Sequence, residues 1–96
     1  MNNEMELIKR RILPVLKEHK ITKAGIFGSY ARGEQNKKSD VDILIEVGDD
    51  LGLIGFISLK MLIEKAISKK IDLVEYDAIR KELREVILNE EIPIIQ

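Results

Sequence analysis

Apolar and polar positions alternate most sharply over residues 40–47: Val41, Ile43, Ile45 and Val47 fall on one side, Asp40, Asp42, Leu44 and Glu46 on the other. A period of two is the pattern of a half-buried strand. Upstream, Met5, Ile8, Ile12 and Leu16 recur at helical spacing and predict a helix over residues 4–19. Pro14 lies inside it and lacks the N–H that would bond to Arg10, so a kink or break is expected there. Residues 23–28 read as a short strand ended by Gly28. Residues 29–39, polar and containing Gly33 and Asn36, read as a short helical turn and a loop. Leu59, Leu62, Ile63, Ala66 and Ile67 mark a helix over 51–68, and 71–76 a third strand. Asp77 is placed to cap a last helix over 78–90 with Ile79, Leu83, Val86 and Ile87 facing inward. The apolar tail Ile92-Pro93-Ile94-Ile95 fits an edge position, because Pro93 has no ladder donor.

These elements predict one α/β (α+β) domain over 1–96: a small mixed sheet of three to four strands with helices mainly on one face. The long helix between the second and third strands is how parallel neighbours are joined. The link from Gly28 to Asp40 is at the lower limit for a crossover, which favours an antiparallel first pair. Asp40, Asp42 and Asp72 then gather at one sheet edge, with Gly28 and Ser29 brought to it as well.

Composition narrows the function. The 96 residues are 45% hydrophobic and 34% charged, the balance of a globular protein. Sixteen Lys and Arg against 17 Asp and Glu leave a net charge of −1, with a pI of about 5.9. That disfavours long nucleic acid as the main partner. The absence of cysteine excludes disulfides, thiolate metal sites and a Cys nucleophile. No apolar run approaches a membrane span, and the charged stretch from Glu4 to Arg11 is unlike a signal peptide. A cytosolic location and no membrane partner are the expectation. No Gly-x-x-x-x-Gly-Lys string is present, which excludes a P-loop, and one His without Cys argues against zinc hydrolysis.

The chemistry concentrates in Phe27-Gly28-Ser29-Tyr30-Ala31-Arg32-Gly33-Glu34 and Ser39-Asp40-Val41-Asp42. Asp40 and Asp42, two apart on a strand, leave the same face. Taken alone, such a pair also suits the solvated face of an edge strand. Two like charges that close favour a cation between them, and Mg²⁺ combines a few carboxylate oxygens with substrate phosphates. With Asp72, three carboxylates can hold two metal ions. Gly28 lets a phosphate approach its backbone. Ser29 offers a hydroxyl, and the turn after it offers helix-start amides. Arg32, and after it Lys37 or Lys38, are candidates to face phosphate charge. His19 reads as a surface or capping residue, Tyr30 as a packing residue or a base-stacking one. Lys69-Lys70 read as a helix end or as a contact to phosphate or an acidic partner. Arg80, Lys81 and Arg84 read as a solvated helix face.

Gly28-Ser29, ten residues, then Asp40-Val41-Asp42 resembles the signature of the DNA polymerase β-like nucleotidyltransferases. The fuller string, with Lys70-Ile71-Asp72-Leu73-Val74, resembles the minimal nucleotidyltransferases of the MNT or MntA type over nearly the whole chain. The resemblance implies an antitoxin that transfers AMP from ATP to a tyrosine of a partner HEPN-domain toxin, in a hetero-oligomer. It implies two Mg²⁺ ions (or Mn²⁺) on Asp40 and Asp42, with Asp72 binding one and helping to activate the acceptor. It places the triphosphate on Gly28 and Ser29. Two alternatives are a transferase acting on a small molecule or an RNA end, and an inactive antitoxin that works by binding alone.

Overall fold

A computed structural model describes residues 3–96. The elements run α1 (Asn3–Glu18), β1 (Lys23–Phe27), α2 (Gly28–Arg32), β2 (Val41–Glu46), α3 (Gly52–Ile67), β3 (Ile71–Glu75), a 3₁₀ turn (Tyr76–Ala78), α4 (Lys81–Glu90) and β4 (Ile92–Ile95). The four strands form one sheet in the order β3-β2-β1-β4. β1 pairs antiparallel with β2 and with β4, and β2 pairs parallel with β3, so the sheet is mixed, as the connection lengths predicted.

One face of the sheet carries the core. Val41, Ile43 and Ile45 of β2, Ala24 and Ile26 of β1, and Ile71 and Leu73 of β3 are buried there. Met5, Ile8, Ile12 and Leu16 of α1 and Leu59, Ile63 and Ile67 of α3 pack against them, and Ile21 and Tyr30 belong to the same cluster. Burying some fifteen aliphatic side chains at roughly 1.5–3 kcal/mol each is the main favourable term of the fold. Parity then sends Asp42, Leu44 and Glu46 to the opposite face. Leu44 is fully buried even there.

Three details depart from the sequence reading. α1 continues through Pro14 as one helix, so of the kink or break expected there the break does not occur. Its buried row Ile8, Ile12, Leu16 spans the proline, which sits on the exposed side, so the lost hydrogen bond costs less than abandoning the packed face. His19 closes this helix as read, its ring Nδ1 lying 2.8 Å from the Val15 carbonyl oxygen. α4 begins at Lys81 rather than residue 78. Asp77 belongs to the 3₁₀ turn, and Ile79 and Arg80 are extended, so Asp77 caps nothing. None of α4 is buried, and Leu83 and Val86 are about half exposed, at 49% and 56%. Periodicity identified its apolar stripe but not a surface to cover it. Among the described residues no helix is long and apolar enough to cross a membrane.

Candidate active site

Register assembles the site. Asp42 stands opposite Phe27 in the antiparallel β1–β2 ladder and opposite Asp72 in the parallel β2–β3 ladder. Paired positions share a sheet face, so Phe27, Asp42 and Asp72 form one row on the face that the core helices leave open. Asp40 precedes β2 by one residue. The Val41 amide donates to the Lys70 carbonyl at 3.1 Å, which fixes the starts of β2 and β3 side by side. Behind it, the Ile71 amide donates to the Glu64 carboxylate at 3.0 Å and ties β3 to the end of α3. The three acids named from the sequence are therefore neighbours at one edge. Asp40 and Asp72 are exposed and Asp42 is partly buried.

Gly28 and Ser29 follow Phe27 directly, at the same edge. Gly28 has φ +74°, and a Cβ placed on it would overlap Asp42 Oδ2 and stand 2.9 Å from Asp42 Cγ. Spacing alone suggests one reason for glycine here, room for a phosphate. The structure adds another: the Asp42 carboxylate lies against this backbone, in a left-handed conformation that L residues disfavour. The helix after it, α2, is a single five-residue turn, too short to build a sizeable dipole. It contributes mainly the Ser29 hydroxyl and main-chain donors.

Burial raises the Asp42 carboxyl from its ordinary 3.8 to about 6, with the charges of Asp72 and then Asp40 adding to it and Arg32 opposing. Arg32 itself is engaged. It bonds the Glu34 carboxylate at 2.8 Å and Glu90 of α4 at 3.2 Å, both of which raise its proton affinity. It reaches Asp42 as a field and not as a partner. Tyr30 is buried in the core cluster, which settles it as a packing residue.

The described residues contain no group of three acidic or histidine side chains close enough to cage an ion unaided. The donor set still suits a hard divalent cation of the Mg²⁺ kind, which takes one or two carboxylates and fills its shell with ligand oxygens. The repulsion around Asp42 is the imbalance that such an ion would relieve. A hollow of about 540 Å³ lined by Val47, Leu51, Phe56, Asp49, Glu75 and Asp77 lies at the other ends of β2 and β3 and contains none of these acids.

Phe27 opens the Gly-Ser string in the sequence but is given no role there. The signal that finds it is the register, since a hairpin that pairs Gly25 with Leu44 must pair Phe27 with Asp42. Behind the acid row, the Glu91 side chain lies over Gly25, where any Cβ would overlap it. The Tyr76 hydroxyl donates to Glu91, and the Lys23 ammonium sits 4.6 Å from the Tyr76 ring centre. This cluster closes the far part of the open face and leaves the Asp end accessible.

Comparison with known proteins agrees. The family described as "Polymerase beta, Nucleotidyltransferase" matches residues 10–96. A Methanocaldococcus jannaschii protein, named provisionally as a protein adenylyltransferase, is 42% identical over 88 residues, covering 92% of this chain and 95% of its own. A solved structure described provisionally as a minimal nucleotidyltransferase superposes with a TM-score of 0.81 at 31% identity, covering 96% of both chains. A crystal structure of a toxin-antitoxin with AMP-PNP superposes with a TM-score of 0.76 at 25% identity, covering 90% of this chain and 71% of that one. With its mixed sheet, its acid row and its Gly-Ser turn, the chain belongs to the polymerase beta nucleotidyltransferase family, among the minimal nucleotidyltransferases.

Proposed function

We propose that this nucleotidyltransferase moves AMP from ATP onto a tyrosine hydroxyl of a partner protein, a HEPN-type toxin that the modification silences. The observation that carries the reading is the ladder register that sets Asp42 beside Asp72, with Gly28 and Ser29 at the same edge. The relative named as a protein adenylyltransferase and the similar toxin-antitoxin crystal structure with AMP-PNP support it.

In this reading Gly28 and Ser29 hold the triphosphate. Asp40 and Asp42 would hold the divalent cations, with Asp72 sharing one. Bound there, the ions would neutralise phosphate charge and acidify the acceptor hydroxyl. The acceptor oxygen attacks the α-phosphorus, the bond to the β-phosphate oxygen breaks, and pyrophosphate leaves with the electron pair. Asp72, exposed at the edge, is the carboxylate available to draw the hydroxyl proton. Arg32 reaches phosphate by leaving Glu90.

The test is to incubate the purified chain with ATP, Mg²⁺ and the product of the neighbouring reading frame. Intact mass should rise by AMP on a tyrosine of that partner, and Asp72→Asn should lower the rate on the order of a hundredfold or more while nucleotide still binds. Transfer by Asp72→Asn at the wild-type rate would remove Asp72 from the chemistry. Silencing without any mass gain would replace the enzyme reading with inhibition by contact.

A further inference from the structure

A second charged feature adjoins the acid row. Lys37, Lys38, Lys69 and Lys70, with Ser39 and Ser68, line an open cleft of about 410 Å³ whose sole acidic lining residue is Asp40. In a chain of net charge −1 this is a local excess of positive charge. Among the described residues Lys37, Lys38 and Lys70 form no ion pair. Lys69 is tied to Glu4 at 3.6 Å. The ammonium groups of Lys37, Lys38 and Lys70 are not neutralising the acid trio from within the fold, and they stand open to an external anion.

Their place in the sheet says which anion. β2 lies between β1 and β3. Gly28 and Ser29 extend from the end of β1, while Ser68, Lys69 and Lys70 lead into β3. The Gly-Ser turn and the lysine cleft therefore flank Asp40 and Asp42 from opposite sides. If the triphosphate lies on the Gly-Ser side, the acceptor enters over Asp72, across the lysines. We propose that this cleft is an acceptor subsite that binds an acidic segment, Asp- or Glu-rich, next to the hydroxyl to be modified. The inference rests on the proposed function and adds the chemistry by which the protein acceptor is recognised. Lysine suits such recognition, because a flexible point charge adapts to carboxylates of varied position, and several together steer an acidic segment to the site.

The experiment measures binding without turnover. Fluorescent peptides carrying one tyrosine flanked by glutamates, by serines or by lysines are titrated against the whole chain by anisotropy at low salt. The glutamate peptide should bind roughly tenfold more tightly than the serine peptide, as expected for a few exposed ion pairs acting together. The preference should fade as salt is raised. Lys37→Glu/Lys38→Glu/Lys70→Glu should abolish it, the Lys→Gln triple variant should fall between, and AMP-PNP affinity should hold within about twofold in both. Circular dichroism checks that the variants are folded, which these exposed positions favour. Equal binding of the glutamate and serine peptides by wild type overturns the proposal. So does a charge-reversed protein that keeps the preference, or one that loses AMP-PNP or tripolyphosphate affinity instead, which would make the cleft a phosphate subsite. Tight, lysine-dependent binding of a single-stranded oligonucleotide in place of the acidic peptide overturns it too. Failure of the wild type to transfer AMP to any protein would count against the proposed function while leaving the peptide preference standing.

Discussion

Replacing Asp42 with Asn should stabilise the empty protein, and by an amount that depends on pH. Asp42 is raised from 3.8 to about 6, first by burial and then by Asp72 and Asp40. The folded state thus binds this proton more tightly than the unfolded chain does. The sign follows: ionising Asp42 costs folding free energy, nothing below pH 4, increasingly between 4 and 6, and a constant amount above 6. Taken at face value the gap is worth about 3 kcal/mol. Asp42 is only partly buried, and solvent screening reduces this to about 1 kcal/mol. In a domain of this size that is a rise in Tm of roughly 4–8 °C. The assay is a set of thermal melts of wild type and Asp42→Asn from pH 4 to 8.5, without divalent ions. The two curves should converge near pH 4 and separate through pH 6. Asp72→Asn should shrink the separation and make it level off at a lower pH, by removing the second cause. Adding Mg²⁺ with ATP at pH 8 should raise the wild-type Tm and leave Asp42→Asn nearly unmoved. A difference between the proteins that is the same at every pH would refute the reasoning, since the effect would then come from packing and not from charge.

Gly28→Ala should leave a folded protein that melts several degrees lower, because a left-handed alanine costs roughly 1–2 kcal/mol and the Asp42 carboxylate must move aside. Transfer should fall on the order of a hundredfold through misplacement of that carboxylate, and wild-type turnover would show that the Gly28–Asp42 contact is irrelevant to the site. Glu90→Gln should tighten binding of a fluorescent ATP analogue about twofold to fivefold by freeing Arg32 from one carboxylate, and Arg32→Gln should weaken it by a similar factor. Unchanged affinity in both would remove Arg32 from the nucleotide site. Tyr76→Phe should lower stability by about 1 kcal/mol in urea unfolding, because Glu91 loses its hydroxyl donor over Gly25. An unchanged midpoint would mean that water serves Glu91 equally well.

Much of this was legible in the sequence because it depended on local rules. Alternation through Val41, Ile43 and Ile45 revealed β2. The lengths of the connections fixed which strands are parallel, and from that the meeting of Asp40, Asp42 and Asp72 at one edge followed. The parts that stayed hidden depend on what is brought alongside from elsewhere in the chain. Leu44 reads as a solvent-facing position by parity, yet it is fully buried. α4 has an apolar stripe, but a stripe does not say what covers it, and Leu83 and Val86 face outward. Arg32 reads as a free cation until Glu90, 58 residues away, comes within 3.2 Å of it. Phe27 becomes a neighbour of Asp42 only once the hairpin register is known.

The same register explains why the site lies where the fold is least content. The apolar rows of α1, β2 and α3, Leu62 excepted, pack into one apolar cluster, and there local preference agrees with the global structure. The edge around Asp42 breaks that agreement three times over: a partly buried carboxylate, two further carboxylates beside it, and a left-handed glycine against which it rests. None of these helps the empty chain to fold. Under the proposed function each would have a use: a cation arriving with an anionic ligand would give the carboxylates the positive charge they lack, and the glycine would leave backbone within reach. Local conflicts of this kind concentrate at functional sites, and here they fall on the residues that the sequence spacing had already singled out. The stabilisation expected from Asp42→Asn and the loss of transfer expected from Gly28→Ala are two consequences of that one arrangement, so a variant that relaxed the edge without harming transfer would break the link between them.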